Sequence, residues 1–127
     1  MKKKLLIIDD EPAICRILNQ YFSEIFEVVI KTNGLEALQW LEAGNHPDAI
    51  VVDYQMPLMD GPALLQEVRA RPLHRHTVLI MLSGSDLSSS KIQCLRLGAD
   101  DYLVKPFNLE ELHLRLNNHL ARVALLA

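Results

Sequence analysis

Polar side chains that can do chemistry stand at the ends of four apolar runs in this sequence: Asp9 and Asp10, Asp53, Ser83, and Lys105. The clearest run is 49–52, which contains two valines, has no polar interruption and stops at Asp53. Such a run is typical of a parallel strand that is buried on both faces. The carboxyl ends of parallel strands share one rim of an open α/β sheet, where ligands bind. The pattern therefore predicts that these distant residues converge.

Three carboxylates at one rim repel one another, and they do not all stay ionised without compensation. A divalent cation resolves this repulsion, and a set of oxygen ligands favours Mg²⁺, which uses few carboxylates and keeps bound waters. Lys105 adds a second positive group. A metal ion and a lysine together describe a site for an incoming dianion such as a phosphoryl group.

Each of these residues also has an ordinary structural explanation. Asp9 and Asp10 are suited to capping a following helix, and for these two residues alone that is the simpler interpretation. Ser83 can be a serine on the approach to a helix, and Lys105 can be a solvated surface lysine. If there were no shared site, all of these separate explanations would have to hold at once, at four successive strand ends. A shared site is therefore the better hypothesis.

Length and composition limit the classes of protein that the sequence allows. The 127 residues, half of them hydrophobic and 23% charged, predict one globular domain over 1–127 with a sizeable core. A net charge of −3 argues against nucleic-acid contact by this domain itself. The basic residues 2–4 precede only four apolar residues, too few for a signal peptide or a membrane span, so we expect a cytoplasmic protein. Cys15 and Cys94 lack metal-ligand spacing and are predicted to be reduced structural thiols.

Five strand patterns alternate with five helix patterns, and these elements must position the polar residues. The strands are predicted near 4–8, 26–32, 49–53, 77–82 and 101–104. Short connections and strict alternation predict a doubly wound, flavodoxin-like α/β fold: a five-stranded parallel sheet of order 2-1-3-4-5 with helices on both faces. In that order the first and third strands are neighbours, which places Asp9 and Asp10 beside Asp53.

The helices are predicted from their caps and apolar stripes. Asp60 is predicted to cap the third helix and Gly98 to end the fourth. The segment 71–76 is predicted to be a surface loop, and 122–127 the start of a linker or a tail. Inward-facing positions are predicted at Ile14, Ile17, Leu18, Tyr21, Ile25, Leu35, Leu38, Leu41, Leu64, Leu65, Val68, Ile92, Leu95, Leu109, Leu112, Leu116, Leu120 and Val123.

An ordered set of motifs runs through these strand ends: Asp9-Asp10, Asp53 with Met56-Pro57 and Asp60-Gly61, Ser83-Gly84, the segment 98–102, and Lys105-Pro106-Phe107. In these residues, over nearly its whole length, the chain resembles the receiver (phosphoacceptor) domain of two-component response regulators. The resemblance implies a phosphorylation-dependent signalling switch that is not an enzyme, apart from its own phosphotransfer and autodephosphorylation. The implied partner is a sensor histidine kinase or a phosphotransfer protein.

The resemblance also implies a role for each site residue. Asp53 would be the nucleophile that accepts a phosphoryl group from a phosphohistidine. Lys105 would pair with the phosphoryl oxygens, and Ser83 would hydrogen-bond to one of them. Tyr102 would be the switch aromatic that turns inward as Ser83 moves toward the phosphate. The implied Mg²⁺ ligands are Asp10, Asp53 and the backbone carbonyl of Gln55, with Asp9 acting through a water.

A further set of charged residues matches the dimer face of the winged-helix (OmpR-type) branch of transcription factors: Lys91, Asp100, Asp101, Glu111, Arg115 and Arg122. This match implies a homodimer that phosphorylation strengthens and an output in transcription regulation. The alternative is a solvated face whose Glu111–Arg115 pair contributes tenths of a kcal/mol. No winged-helix domain lies in these residues, so we expect either a fragment cut before its output domain or a stand-alone receiver that acts through protein–protein contacts.

Two other functions use related features. An aspartyl-phosphate phosphatase of the haloacid dehalogenase type also has a strand-end aspartate and Mg²⁺, but it needs a second aspartate where this chain has Gln55. A flavodoxin-like electron carrier needs a Ser/Thr/Gly-rich phosphate loop where this chain has Asp-Asp-Glu-Pro at 9–12. The sequence does not identify the kinase, the stimulus, the output or the phosphate lifetime, and it allows either isomer of Lys105-Pro106.

Overall fold

Five strands and five α-helices alternate along residues 1–126, which are the residues that this computed structural model describes. The strands are β1 (Lys4–Ile8), β2 (Glu27–Lys31), β3 (Ala49–Asp53), β4 (Val78–Ser83) and β5 (Asp101–Val104). The helices are α1 (Pro12–Phe22), α2 (Gly34–Glu42), α3 (Gly61–Ala70), α4 (Ser88–Leu97) and α5 (Leu109–Ala124), and a short 3-10 helix spans Pro72–His74. Within these residues no helix has the length and apolarity that a membrane crossing requires.

All neighbouring strands are parallel, and their order is β2-β1-β3-β4-β5, as predicted. Ile8 of β1 is paired with Val52 of β3, so the residues that follow these two positions lie side by side. Ser83 at the end of β4 is paired with Val104, the residue before Lys105. The register therefore brings four strand ends to one rim of the sheet.

Each face of the sheet carries its own core, because successive residues of a strand point to opposite faces. One core joins alternate strand residues to α2, α3 and α4; its members include Leu6, Ile8, Ile50, Val52, Leu38, Leu64, Leu65 and Cys94. The other joins the intervening strand residues to α1 and α5; its members include Leu5, Ile7, Val51, Leu18, Phe22, Leu112 and Leu116. Every residue of β3 is buried, which explains why that segment shows no alternation of polar and apolar residues.

Five of the helix positions predicted to face inward are exposed. Ile17, Leu35, Ile92 and Leu95 are between 39% and 49% exposed, and Ile25 lies beyond the end of α1. A helix that packs on a sheet buries only a narrow stripe, and α1 buries Cys15, Leu18 and Phe22. Apolar residues at the flanks of that stripe fit the helical period but remain in solvent.

Two segments that were predicted to be irregular are ordered differently. His74, predicted to lie in a surface loop, is buried at the end of the 3-10 helix, because the Arg69 guanidinium holds this segment by donating to the His74 and Thr77 carbonyls at 3.0 and 2.7 Å. Arg122, where the linker or tail was predicted to start, lies in the last turn of α5. Leu125 and Leu126 follow the helix, and Ala127 lies outside the described residues.

The helix ends follow the local sequence. Asp60 accepts a hydrogen bond from the Ala63 backbone N–H and caps α3, as predicted. Gly98 ends α4 with a φ of +108°, a conformation that favours glycine. Cys15 and Cys94 are free and buried, in agreement with their predicted structural role. The Lys105–Pro106 peptide is cis.

The close approach of α3 to β3 can be tested with a matched pair of glycine substitutions. A Cβ at Gly61 would lie 2.5 Å from the Asp53 carbonyl oxygen and 2.7 Å from the Met81 sulfur, whereas a Cβ at Gly84 would meet nothing within 4 Å. Gly61→Ala should therefore lower the free energy of unfolding by about 1–3 kcal/mol, despite the better helix propensity of alanine. Gly84→Ala should change it by no more than about 0.5 kcal/mol. Urea unfolding measures both, and equal stabilities would contradict the packing described here.

Candidate functional site

The adjoining ends of β1 and β3 bring together Asp9, Asp10 and Asp53. One carboxylate oxygen of each residue lies within 4.8 Å of the other two. Asp9 is 1% exposed and Asp53 is 6% exposed, whereas Asp10 is exposed at the rim. The predicted convergence of these three carboxylates is therefore present.

Lys105 reaches this cluster from the end of β5, across β4. Its Nζ lies 3.1 Å from Asp9 Oδ2, 3.1 Å from Asp53 Oδ1 and 3.5 Å from Glu11 Oε1. Partial burial by itself would lower the pKa of Lys105, but the charges of Asp9 and Asp53 outweigh it and raise that pKa above its ordinary value. Lys105 is thus held as an ammonium ion between two carboxylates.

The negative charge of Asp53 is poorly compensated by its surroundings. Burial, and after it the charge of Asp9, raises the pKa of Asp53 to about 6, although Lys105 acts in the opposite direction. Asp9 has a second partner, since its Oδ1 accepts a hydrogen bond from the Glu11 backbone N–H at 2.9 Å. One ammonium ion for three carboxylates leaves the cluster with excess negative charge.

The donor set fits Mg²⁺. Carboxylate oxygens are the ligands that this ion prefers, and it binds through one or two of them while it keeps several waters. The exposed side chain of Asp10 can rotate toward a shared ion, and Gln55 lines the same cleft. A divalent cation would also supply the positive charge that Lys105 alone does not provide.

Ser83 ends β4 at the opposite wall of the cleft and is 2% exposed. Its Oγ accepts a hydrogen bond from the Ser85 backbone N–H at 3.1 Å. Because the acceptor side of this hydroxyl is used, its O–H can donate to an oxygen in the cleft. Gly84 beside it has open space where a side chain would be.

Tyr102 lies inside the protein, at 6% exposure, in the inward position that the resemblance associates with the phosphorylated state. Its hydroxyl donates to the Ser85 carbonyl at 2.8 Å, and its backbone N–H donates to Asp101 Oδ1 at 2.9 Å. Ser85 therefore connects Ser83 to Tyr102 by two hydrogen bonds. No local pattern in the sequence indicates this bridge.

Several of the six charged residues of the candidate dimer face already form ion pairs within the chain. Arg115 binds Asp101 at 3.0 Å and Glu111 at 2.8 Å within the same chain. His119, which sequence reasoning missed, places Nε2 3.0 Å from Asp101 Oδ2. Burial by itself would raise the pKa of Asp101, but the hydrogen bonds from His119 and Arg115 outweigh it and lower that pKa below its usual value.

The remaining members of this set differ in their surroundings. Asp100 is exposed, but its Oδ2 accepts hydrogen bonds from the Leu79 backbone N–H at 2.8 Å and from Arg69 at 3.1 Å. Lys91 is exposed on α4, with its Nζ 6.0 Å from the centre of the Tyr102 ring. Arg122 is exposed on α5. Lys91, Arg122, Asp100 and Glu111 are all exposed, but Asp100, Asp101, Glu111 and Arg115 already have partners within the chain.

Glu11 lies at the cleft and, like His119, was missed by sequence reasoning. It is exposed, and its carboxylate lies 3.5 Å from Lys105 Nζ. The signal that could have found it is its place directly after Asp9 and Asp10, at the same strand end. Its charge adds to the negative potential of the rim.

Comparison with known proteins places these features in a family. The family model for the response regulator receiver domain matches residues 5–117. The "Probable transcriptional regulator ycf27" of Porphyridium aerugineum is 42% identical over 123 residues, which are 96% of this chain and 50% of that protein. The chain spans about half the length of the curated transcriptional regulators of this kind that it matches.

Solved structures agree with the fold. The receiver domain of the Francisella response regulator 1452 is 37% identical with a TM-score of 0.86, over 94% of this chain and 98% of that one. The receiver domain of the sensor histidine kinase PA1611 from Pseudomonas aeruginosa PAO1 is 27% identical with a TM-score of 0.82, over 95% of this chain and 99% of that one. The PA1611 structure has a magnesium ion coordinated in its active-site cleft.

Because the negative charge of Asp53 is poorly compensated, we expect the stability of the folded protein to depend on pH. Its pKa of about 6 lies above the ordinary value of 3.8, so the folded state binds this proton more tightly than the unfolded state, and stability falls as pH rises from about 4 through about 6. Without metal at pH 7.5, Asp53→Asn should therefore be more stable than the parent chain by about 1–3 kcal/mol. The difference should vanish near pH 4. Urea unfolding in a chelator measures it.

Asp86→Asn is the matched control, because Asp86 is an exposed carboxylate near the same rim. It should leave stability within about 0.5 kcal/mol of the parent at both pH values. A gain for Asp53→Asn that is the same at pH 4 and pH 7.5 would show that charge is not its cause.

Proposed function

Because the chain belongs to the response regulator receiver domain family, we propose that it is a signalling switch whose phosphoacceptor is Asp53. One observation carries the proposal: Asp53 ends the central strand, buried, 3.1 Å from Lys105 and beside Asp9 and Asp10. A receiver is a signalling domain, so membership of this family favours a switch over a haloacid-dehalogenase phosphatase or a flavodoxin-like electron carrier.

The phosphoryl donor is a phosphohistidine of a sensor histidine kinase or of a phosphotransfer protein. A carboxylate oxygen of Asp53 attacks the phosphorus atom, the phosphorus–nitrogen bond breaks, and the histidine nitrogen keeps the electron pair. The product on this chain is an acyl phosphate, a labile covalent state that suits a reversible switch. Phosphoryl transfer asks the protein mainly for alignment and charge neutralisation.

Lys105 and Ser83 provide much of that alignment. Lys105 bridges Asp9 and Asp53, and after transfer its ammonium pairs with a phosphoryl oxygen in place of Asp53. The Ser83 hydroxyl donates to another phosphoryl oxygen. Asp10, Asp53 and the Gln55 backbone carbonyl would hold Mg²⁺, with Asp9 acting through a water. When bound, that ion neutralises charge on the phosphoryl oxygens.

The change at Asp53 reaches the surface through Ser85. A phosphoryl group that accepts a hydrogen bond from the Ser83 hydroxyl changes the hydrogen bonds that join Ser83, Ser85 and Tyr102. Tyr102 is bonded through its backbone to Asp101, and Asp101 is the ion-pair partner of Arg115. The surface of α4, β5 and α5 is therefore the part of the domain whose arrangement depends on phosphorylation.

This surface makes a phosphorylation-enhanced homodimer the proposed consequence. Lys91, Arg115 and Arg122 oppose Asp100, Asp101 and Glu111, a set that suits a two-fold contact in which each charge meets its opposite. Arg115 has to exchange partners within its own chain for partners on the second one. We propose transcription regulation through an output domain as the readout, with a cytoplasmic location; a stand-alone receiver is the alternative.

Phosphorylation at Asp53 can be tested directly. Incubation with Mg²⁺ and acetyl phosphate should add one base-labile phosphoryl group, measured by intact-protein mass spectrometry, and Asp53→Asn should abolish it. Asp10→Ala should strongly reduce labelling while the fold is kept, because Asp10 is exposed. Asp86→Asn should label as the parent does. Undiminished labelling of the Asp53→Asn variant would show that the phosphoacceptor is another residue.

The dimer can be tested by light scattering with and without a beryllofluoride mimic of the phosphoryl group. The activated parent should associate more tightly than the unactivated form, and added salt should weaken the association. Arg115→Glu and Arg122→Glu should both prevent it; Arg122 is the cleaner probe because Arg115 also binds Asp101. Arg16→Glu, an exposed change on α1, is the control. An activated parent that stays monomeric at high concentration and low salt would rule out this face.

A further inference from the structure

A second pair of titratable side chains lies at the end of the sheet opposite the phosphoacceptor. His46 precedes β3 and His74 precedes β4, and the centres of their rings are 5.3 Å apart with an angle of 43° between the planes. Asp53 and Ser83 end the same two strands. Five or six residues at about 3.3 Å each separate the two ends by roughly 16–20 Å. The pair is therefore independent of the acidic cleft.

His74 has an unsatisfied atom. The residue is 3% exposed, and its Nδ1 is without a hydrogen-bond partner or solvent contact. Among the buried side-chain nitrogen and oxygen atoms of residues 1–126, it alone is in this state. A buried polar atom without a partner lowers the free energy of unfolding by about 1–3 kcal/mol, so its presence needs an explanation. A cation bound to this nitrogen would supply the missing partner.

The separation of the rings fits a shared metal ion. A metal–nitrogen bond of 2.0–2.1 Å places a ring centre about 3.2 Å from the metal. Two ring centres that are 5.3 Å apart then subtend about 110–115° at the ion, close to the tetrahedral angle. Imidazole nitrogens suit zinc, nickel and copper, whereas the carboxylates of the acidic cleft suit magnesium.

The backbone on both sides is held in place. Pro47 follows His46, and Pro72 begins the 3-10 helix that ends at His74. Arg69 donates to the His74 carbonyl at 3.0 Å. His46 is exposed, which leaves a path for an ion to enter. Preorganised ligands lose little conformational entropy when they bind.

Charge around the pair has opposing effects. Burial, followed by the nearby charges of His46 and Arg71, lowers the pKa of His74, which favours its neutral imidazole. Arg71 also repels a cation. However, its guanidinium lies 2.9 Å from Glu42 and 3.5 Å from Glu67, so its charge is largely compensated.

We propose that His46 and His74 form a binding site for a divalent transition-metal ion of the Zn²⁺, Ni²⁺ or Cu²⁺ class. On the side of the exposed His46, solvent waters complete the coordination shell. The site lies in the connections that precede β3 and β4, so a bound ion joins the α2–β3 connection to the α3–β4 connection. Such a link stabilises the folded state according to the concentration of free ion.

The test uses Cu²⁺ as the probe, with excess Mg²⁺ present to occupy the acidic cleft. Electron spin echo spectroscopy distinguishes coordinated imidazole from amine and carboxylate ligands. The parent chain should bind one Cu²⁺ with two imidazole ligands. His46→Gln is the diagnostic variant, because His46 is exposed and its loss does not disturb the core. His76→Gln, a change at an exposed histidine two residues after His74, is the matched control.

His46→Gln should leave one imidazole ligand or none and weaken Zn²⁺ binding, measured by calorimetry, by about tenfold or more. His76→Gln should keep two imidazole ligands and the parent affinity. Zn²⁺ should raise the melting temperature of the parent and of His76→Gln more than that of His46→Gln. Copper bound through oxygen ligands alone, or two imidazole ligands that persist in His46→Gln, would overturn the proposal.

Discussion

Three carboxylates meet one ammonium ion at the adjoining ends of β1 and β3, and the rest of the site depends on this imbalance. Asp9 and Asp53 are almost fully buried, and each lies 3.1 Å from Lys105. Burial and the charge of Asp9 raise the pKa of Asp53 to about 6, so its ionised form is not fully stabilised by the protein. The cleft is thus suited to additional positive charge.

The sheet can maintain this unfavourable cluster because both of its faces are covered. All residues of β3 are buried, and separate cores on the two faces hold the strands in register. Apolar burial contributes roughly 25 cal/mol per Å², so two extensive cores offset an electrostatic cost of a few kcal/mol at one rim. The backbone of Gly61 passes so close to the Asp53 carbonyl that a Cβ would lie 2.5 Å from its oxygen, and this close approach restricts the backbone from which the Asp53 carboxylate projects.

Hydrogen bonds between neutral groups, followed by ion pairs, connect the cleft to the surface of β5 and α5. Ser85 bonds to Ser83 and to Tyr102, and the backbone of Tyr102 bonds to Asp101. Asp101 is also shared by Arg115 and His119. Arg115 thus divides its contacts between a largely buried partner, Asp101, and a more exposed one, Glu111.

The sequence by itself determined the sheet order and the convergence of Asp9, Asp10, Asp53, Ser83 and Lys105, because unalternating apolar runs in a parallel sheet specify where each strand ends. The tertiary structure decided which flank of each helix is buried, leaving Ile17 and Leu95 in solvent. It also decided side-chain pairing: Asp100 with Arg69, Arg115 with Asp101, and the burial of His74 beside His46. These contacts join residues far apart in the chain, and their geometry depends on how the helices dock, which no local pattern encodes.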